Sequence, residues 1–163
     1  ERCQSLFGTS MIRSSCVAGL ATFASLVFAQ DGWSRFDERN PIYLEGVVKA
    51  VKWQNPHASV KLEVNGASAP AALPRFAVPK QTAAVDAVII LGTAQPPARK
   101  DRVWHVEFAP IATVDAWKVT APSVGDKLAV VGYAFKGDQG DATLRVEFLI
   151  GNGKVTPMRS SPK

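Results

Sequence analysis

Apolar and polar residues alternate with a period of two over Ser59 to Val64, with Val60, Leu62 and Val64 on one face and Ser59, Lys61 and Glu63 on the other. That is the pattern of a half-buried strand. The same period recurs in Val103 to Phe108, where Trp104, Val106 and Phe108 oppose Val103, His105 and Glu107. Lys127 to Phe135 and Leu144 to Ile150 also alternate, joined by the glycine-rich hairpin connection Lys136 to Asp141. Ile42 to Trp53 is rich in β-branched and aromatic residues and free of helix caps, which predicts a long strand, and Gly46 within it predicts a bulge or a bend. Asn152-Gly153 marks one more turn, into a final strand over Lys154 to Arg159 broken by Pro157, with a disordered tail over Ser160 to Lys163.

Only one segment has helical spacing of any clarity: Pro110 suits a first helical position, and Ile111, Val114 and Trp117 follow at helical intervals. Residues 67–101 carry Pro70, Pro74, Pro79, Pro96, Pro97 and many alanines, and read as a long excursion between strands. Its apolar island, Val85 to Leu91, is too short for periodicity to decide between an edge strand and a short helix. The resulting order is strand, strand, excursion, strand, helix, strand, strand and a terminal hairpin. The fold class expected is therefore mainly β: a small barrel like the oligonucleotide/oligosaccharide-binding (OB) fold, with one short helix between strands three and four.

Ahead of that domain, Met11 opens a stretch with one positive charge, Arg13, followed by Cys16 to Phe28, apolar except for Thr22 and Ser25. This is the layout of a signal-peptide helix, and Val27 and Ala29 satisfy the small-x-small rule for cleavage before Gln30. The apolar run is short against the ~20 residues needed to span a bilayer. Residues 1–10 have no periodicity and read as translation from a start assigned too far upstream. The expectation is one exported domain over residues 30–163, periplasmic or secreted, with no stable membrane insertion after cleavage. Without residues 1–29 the chain loses Arg2, Arg13 and Glu1, leaving a net charge of +4, and loses both cysteines, Cys3 and Cys16. Disulfide and thiolate chemistry are then excluded from the mature domain. The charge is spread rather than clustered, so the phosphate-tracking groove of a nucleic-acid binder is not visible and no nucleic-acid partner is expected.

The segments Gly32-Trp33-Ser34, Leu44-Glu45-Gly46-Val47-Val48, Trp53-Gln54-Asn55-Pro56-His57, Trp104-His105-Val106-Glu107-Phe108-Ala109-Pro110 and Val124-Gly125-Asp126 together resemble a family of small exported bacterial proteins known only as a domain of unknown function, 6152. The likeness runs from about Trp33 to Arg159, with residues 67–100 longer than the family pattern. The resemblance implies a signal peptide and a compact β-barrel-like domain, and no established activity. The family pattern carries two histidines just before Gly-Trp-Ser, where a processed N-terminus could contribute to a metal site. Here Gln30-Asp31 stand in their place, which weakens that idea, although Asn55-Pro56-His57 is kept.

Chemistry-bearing residues are few. His57 and His105 are the only histidines, and imidazole suits copper or zinc. Carboxylates such as Asp31, Glu63 or Glu107 would have to complete a site, and none stands at a diagnostic spacing. The bland alternative has His57 bonded to the backbone of its own turn and His105 facing solvent. Of the aromatics Trp33, Trp53, Trp104, Trp117, Tyr133 and Phe135, most read as core or rim; Trp104 and Trp117 sit at apolar phases of their elements, whereas Trp53, Tyr133 and Phe135 are the better surface candidates for stacking a ligand. There is no nucleophile elbow, Walker loop or dinucleotide fingerprint, Gly151 to Lys154 is a turn, and Ser34 with Asp37 reads as a turn or cap. The leading reading is a non-catalytic binding or accessory module without a cofactor, meeting a small molecule or an exported protein at Trp53, Asn55, His57 and Tyr133. The alternatives are a periplasmic copper- or zinc-handling protein using His57 and His105, and a small hydrolase.

Overall fold

The structure, a computed structural model, describes residues 32–163. The expected signal peptide, its cleavage point and the upstream segment lie outside the described residues. Five strands form the barrel: β1 (Ile42–Lys52), β2 (Ser59–Val64), β3 (Val103–Glu107), β4 (Lys127–Ala134) and β5 (Thr143–Gly151). β1 pairs antiparallel with β2 and with β4, β2 with β3, and β4 with β5. A parallel pairing of β3 with β5 closes the ring. This is the OB connectivity expected from the element order. A short β6 (Lys154–Pro157) adds to β5 from outside the ring.

The period-two segments form strands because each has one apolar face to bury. Val60, Leu62, Trp104, Val106 and Phe108 are almost wholly inaccessible and meet Leu44, Val48, Val130, Leu144 and Val146 in the barrel interior. A short helix between β3 and β4, α2 (Ile111–Ala116), closes one end with Val114 buried and Ile111 and Trp117 packed against that core. Pro110 sits at its N-cap rather than its first turn.

Two bulges break the alternation, and both reshape what faces outward. In β1 the register shifts between Val48 and Ala50, not at Gly46. Gly46 serves a different need: a Cβ there would collide with the Glu63 carbonyl, so a close strand approach requires glycine. Beyond the shift Val51 opposes Val60 on the inside, which turns Ala50 and Lys52 outward. In β5 the register skips Glu147 between Val146 and Phe148. Leu144 and Val146 therefore face the barrel, whereas Phe148 and Ile150 turn to its outer side. The simple alternation expected of Leu144 to Ile150 holds only up to that bulge.

The excursion supplies the cover for that outer side. It contains a 3-10 turn at Leu73–Arg75 and a helix, α1 (Ala87–Thr93), capped by the Asp86 carboxylate accepting from Ile89 N–H at 3.1 Å. Leu73, Leu91 and Ala94 pack on Tyr43, Val131, Phe148 and Val155 as a second core. The apolar island is thus a helix because one flank has a sheet to cover. The tail is not free: Ser160 bonds Gln81, Lys163 N–H donates to the Lys80 carbonyl, and the Ser160 carbonyl accepts from the Trp117 indole at 2.8 Å. Backbone pairing with the excursion holds it down.

Candidate ligand-binding face

Strand register aligns outward side chains in rows across the barrel wall. One row runs Lys52, Ser59, Glu107, Arg145, Tyr133 across β1, β2, β3, β5 and β4. A second, beside it, runs Ala50, Lys61, His105, Thr143. Lys52 joins the first row only because of the β1 bulge.

The β4–β5 half of this wall is covered. The turn Gly32–Arg35 and Phe36 lie across it, held by Phe36 stacked on Phe135 at 4.8 Å and by Lys136 N–H donating to the Arg35 carbonyl. Trp33 sits edge-on to Tyr133 at 6.2 Å, with the Arg159 guanidinium 4.0 Å from its ring centre and that of Arg145 at 5.5 Å. Such cation–ring contacts gain strength where water is excluded. Beneath this cover Arg159 Nε donates to Glu147 Oε2 at 2.8 Å, and Glu147 has no exposed surface. Burial pushes the Glu147 carboxyl above its ordinary range against the pull of Arg159. Arg145 is 6% exposed; its Nη2 lies 3.1 Å from Glu107 Oε1 and Nη1 donates to the Phe108 carbonyl at 3.5 Å. Arg145 Nε and Glu147 Oε1 are buried with no hydrogen-bond partner.

On the β1–β2–β3 half Lys52 and Lys61 are exposed and Ser59 is buried, and most of the sequence-predicted residues gather at its edge. Trp53 follows β1, half-buried, with its ring 5.4 Å from Phe108. Asn55 is exposed in the next turn, its peptide bond to Pro56 cis, and His57 is half-buried. His57 Nδ1 lies 3.4 Å from Glu107 Oε1, so its partner is a side chain of β3 rather than its own turn. His105 stands two residues before Glu107 on the same face and is half-buried. Tyr133 is the correction. It points outward as expected of a surface aromatic, yet it is 1% exposed because Trp33 and its segment cover it. Phe135 is likewise occupied, by Phe36 and by Arg35 4.7 Å from its ring centre. Trp104 is core, as its phase predicted.

Glu107 was legible in the sequence only as a carboxylate that could complete a metal site, and Arg145, Glu147 and Arg159 were not legible as members of a site. On the strand pattern Arg145 and Glu147 occupy the polar phase of β5, which reads as a solvated face. The signal available was Trp33, a large ring outside any strand that needs something to pack on.

Both imidazoles are held below their ordinary value: His57 by burial and then Arg145, with Glu107 opposing, and His105 by burial and then Lys61. A base with a depressed folded value binds more protons when unfolded, so its contribution to stability is lost as pH falls through the unfolded value near 6.5. The two histidines are expected to withdraw stability between pH 7.5 and 5.5, so that a His57→Gln/His105→Gln variant loses less, or gains more, than the parent over the same interval. Urea unfolding at those two pH values checks this.

Among the described residues no three His, Cys, Asp or Glu side chains come together as a metal-holding group. Also among them, no helix is long and apolar enough to cross a membrane. No curated protein and no solved structure matches the chain. Residues 17–87, which carry Trp33, Trp53, Asn55 and His57, match the model of a family of unknown function, DUF6152. The chain thus resembles, over that span and in its barrel organisation, the same family that its dispersed motifs resemble.

Proposed function

We propose that this chain is an exported, non-catalytic binding module whose ligand meets the open half of the barrel wall at Trp53, Asn55 and His57. The observation that carries this reading is the asymmetry of one polar row. Its β4–β5 half is sealed by Trp33 and Phe36, while its β1–β3 half leaves Lys52, His57 and Glu107 at a solvent-accessible rim. Within one short stretch of chain, a partly exposed indole packed on Phe108, an exposed amide and an imidazole held by Glu107 offer an aromatic edge with polar groups to orient a ligand. The signal-peptide layout of Met11 to Ala29 supports export.

The test is intrinsic tryptophan fluorescence of the protein titrated with short neutral and acidic oligosaccharides. A saturable change that disappears in Trp53→Phe and persists in Trp117→Phe supports the reading. A response unaltered by Trp53→Phe, or none across the panel, overturns it.

A metal-handling role for His57 and His105 draws on one contact, the Glu107 carboxylate beside His57 and on the same face of β3 as His105. Titration with copper and zinc separates the two readings. Stoichiometric binding lost in both His57→Ala and His105→Ala would put metal handling first.

A further inference from the structure

We propose that Lys52, Lys61 and His105 form an oxyanion site, taking a phosphate, sulfate or carboxylate group of the ligand whose remainder lies against Trp53 and His57. The inference rests on the binding-module reading and adds the chemical class of the ligand. Its basis is an imbalance of charge in a rigid place. Strand register sets Lys61 beside His105 in one row and Lys52 beside Ser59 in the next. Between them lies a recess of about 190 Å³ whose lining includes Lys52, Lys61 and His105, with Ala50 and Ser59 beside them.

The neighbouring cations are already matched. Lys49 and Arg102 both pair with Glu63, at 2.8 Å each, and Glu107 is engaged by His57 and Arg145. Among the described residues no carboxylate lies within ion-pair distance of Lys52 or Lys61. Lys52 and Lys61 thus border one recess with no carboxylate in ion-pair contact, while Glu107 and Asp141 act on His105 from further off. A bound oxyanion would relieve the repulsion between the two lysines and accept charge-assisted hydrogen bonds from both. The recess is small, so it has room for a single compact group. The body of a larger ligand would extend past the end of β1 toward the accessible edge of Trp53, whose ring packs on Phe108.

The experiment is a ¹H–¹⁵N shift titration of the labelled protein at low ionic strength with inorganic phosphate, with sulfate and with a galacturonate trisaccharide. The expected result is saturable shifts centred on Lys52, Lys61 and His105, weakened by added salt because the pairing is exposed. The trisaccharide should bind about tenfold or more tightly than inorganic phosphate, since it adds contact at Trp53. A Lys52→Gln/Lys61→Gln variant should lose about tenfold or more in affinity, and Lys127→Gln/Lys154→Gln should lose none. Shifts spread over all exposed lysines, shifts that do not saturate, or affinity unchanged in Lys52→Gln/Lys61→Gln would overturn the proposal. Tight phosphate binding without a gain from the trisaccharide would assign the site to a free inorganic anion instead. If neutral oligosaccharides still bind at Trp53 while no oxyanion binds the recess, the binding module stands and the oxyanion site falls.

Discussion

Replacing Arg159 by alanine is expected to lower the unfolding free energy by about 3–5 kcal/mol, the usual cost of stranding one charge of a buried pair. Glu147 is the charge stranded: it has no exposed surface, and the hydrogen bond to it comes from the Arg159 guanidinium, while its other oxygen has none. The same substitution removes the cation over Trp33 and the partner of Glu38, so the covering segment loses an anchor as well. Urea unfolding measures the effect, and its pH dependence identifies the cause. Glu147 is an acid whose folded value is raised, so ionising it costs stability as pH climbs above the ordinary carboxylate range, and less is lost where it stays protonated. Without Arg159 that penalty grows, and the gap between variant and parent should therefore narrow on acidification. A Glu147→Met/Arg159→Met double variant should recover most of the loss, because removing both charges leaves neither uncompensated. A loss below about 1 kcal/mol at neutral pH would mean the carboxylate is not buried as described.

Gly132→Ala should be at least as damaging, costing about 3 kcal/mol or more, or preventing folding altogether. A methyl group there would overlap the Arg145 carbonyl oxygen and stand 2.7 Å from Leu144 Cδ2. The oxygen belongs to the paired strand and cannot swing away, so β4 and β5 would have to part at the bulge that presents Arg145 and Glu147. Gly151→Ala is the matched control, since nothing lies within 4 Å of the added carbon, and it should change stability by no more than about 0.5 kcal/mol. Thermal unfolding of the pair decides the matter. Parent-like stability in Gly132→Ala would show that the strands are not in this register.

The barrel was legible because its information is local. Period-two alternation in β2 and β3, one short amphipathic helix at Pro110 and the order of elements are enough to specify an OB connectivity. The bulges were not legible. Gly46 looked like the irregular position of β1, but glycine is needed there for a close approach, and the register shift falls at Lys49, a residue with no marked backbone preference. The functional wall was half legible for a related reason. Trp53, Asn55 and His57 follow one another in a single turn, so one stretch of sequence displays them together. Glu107, Arg145 and Lys52 come from three strands and meet only through register. Tyr133 failed as a surface residue because its cover comes from Trp33, a hundred positions away in the chain, and strand phase reports which side a residue faces but not what lies on top of it.

Ligand binding at this barrel requires a wall closed over Arg145 and Tyr133 and open at Trp53 and His57. The most direct measurement is backbone amide hydrogen exchange and ¹H–¹⁵N shift mapping of the protein with and without the galacturonate trisaccharide. The expected result is perturbation at Trp53, His57, Lys61 and His105, with Arg145 and Tyr133 protected in both states. Perturbation centred on α1 and the excursion instead, or rapid exchange at Tyr133 and Arg145 in the free protein, would contradict a wall open at Trp53 and His57.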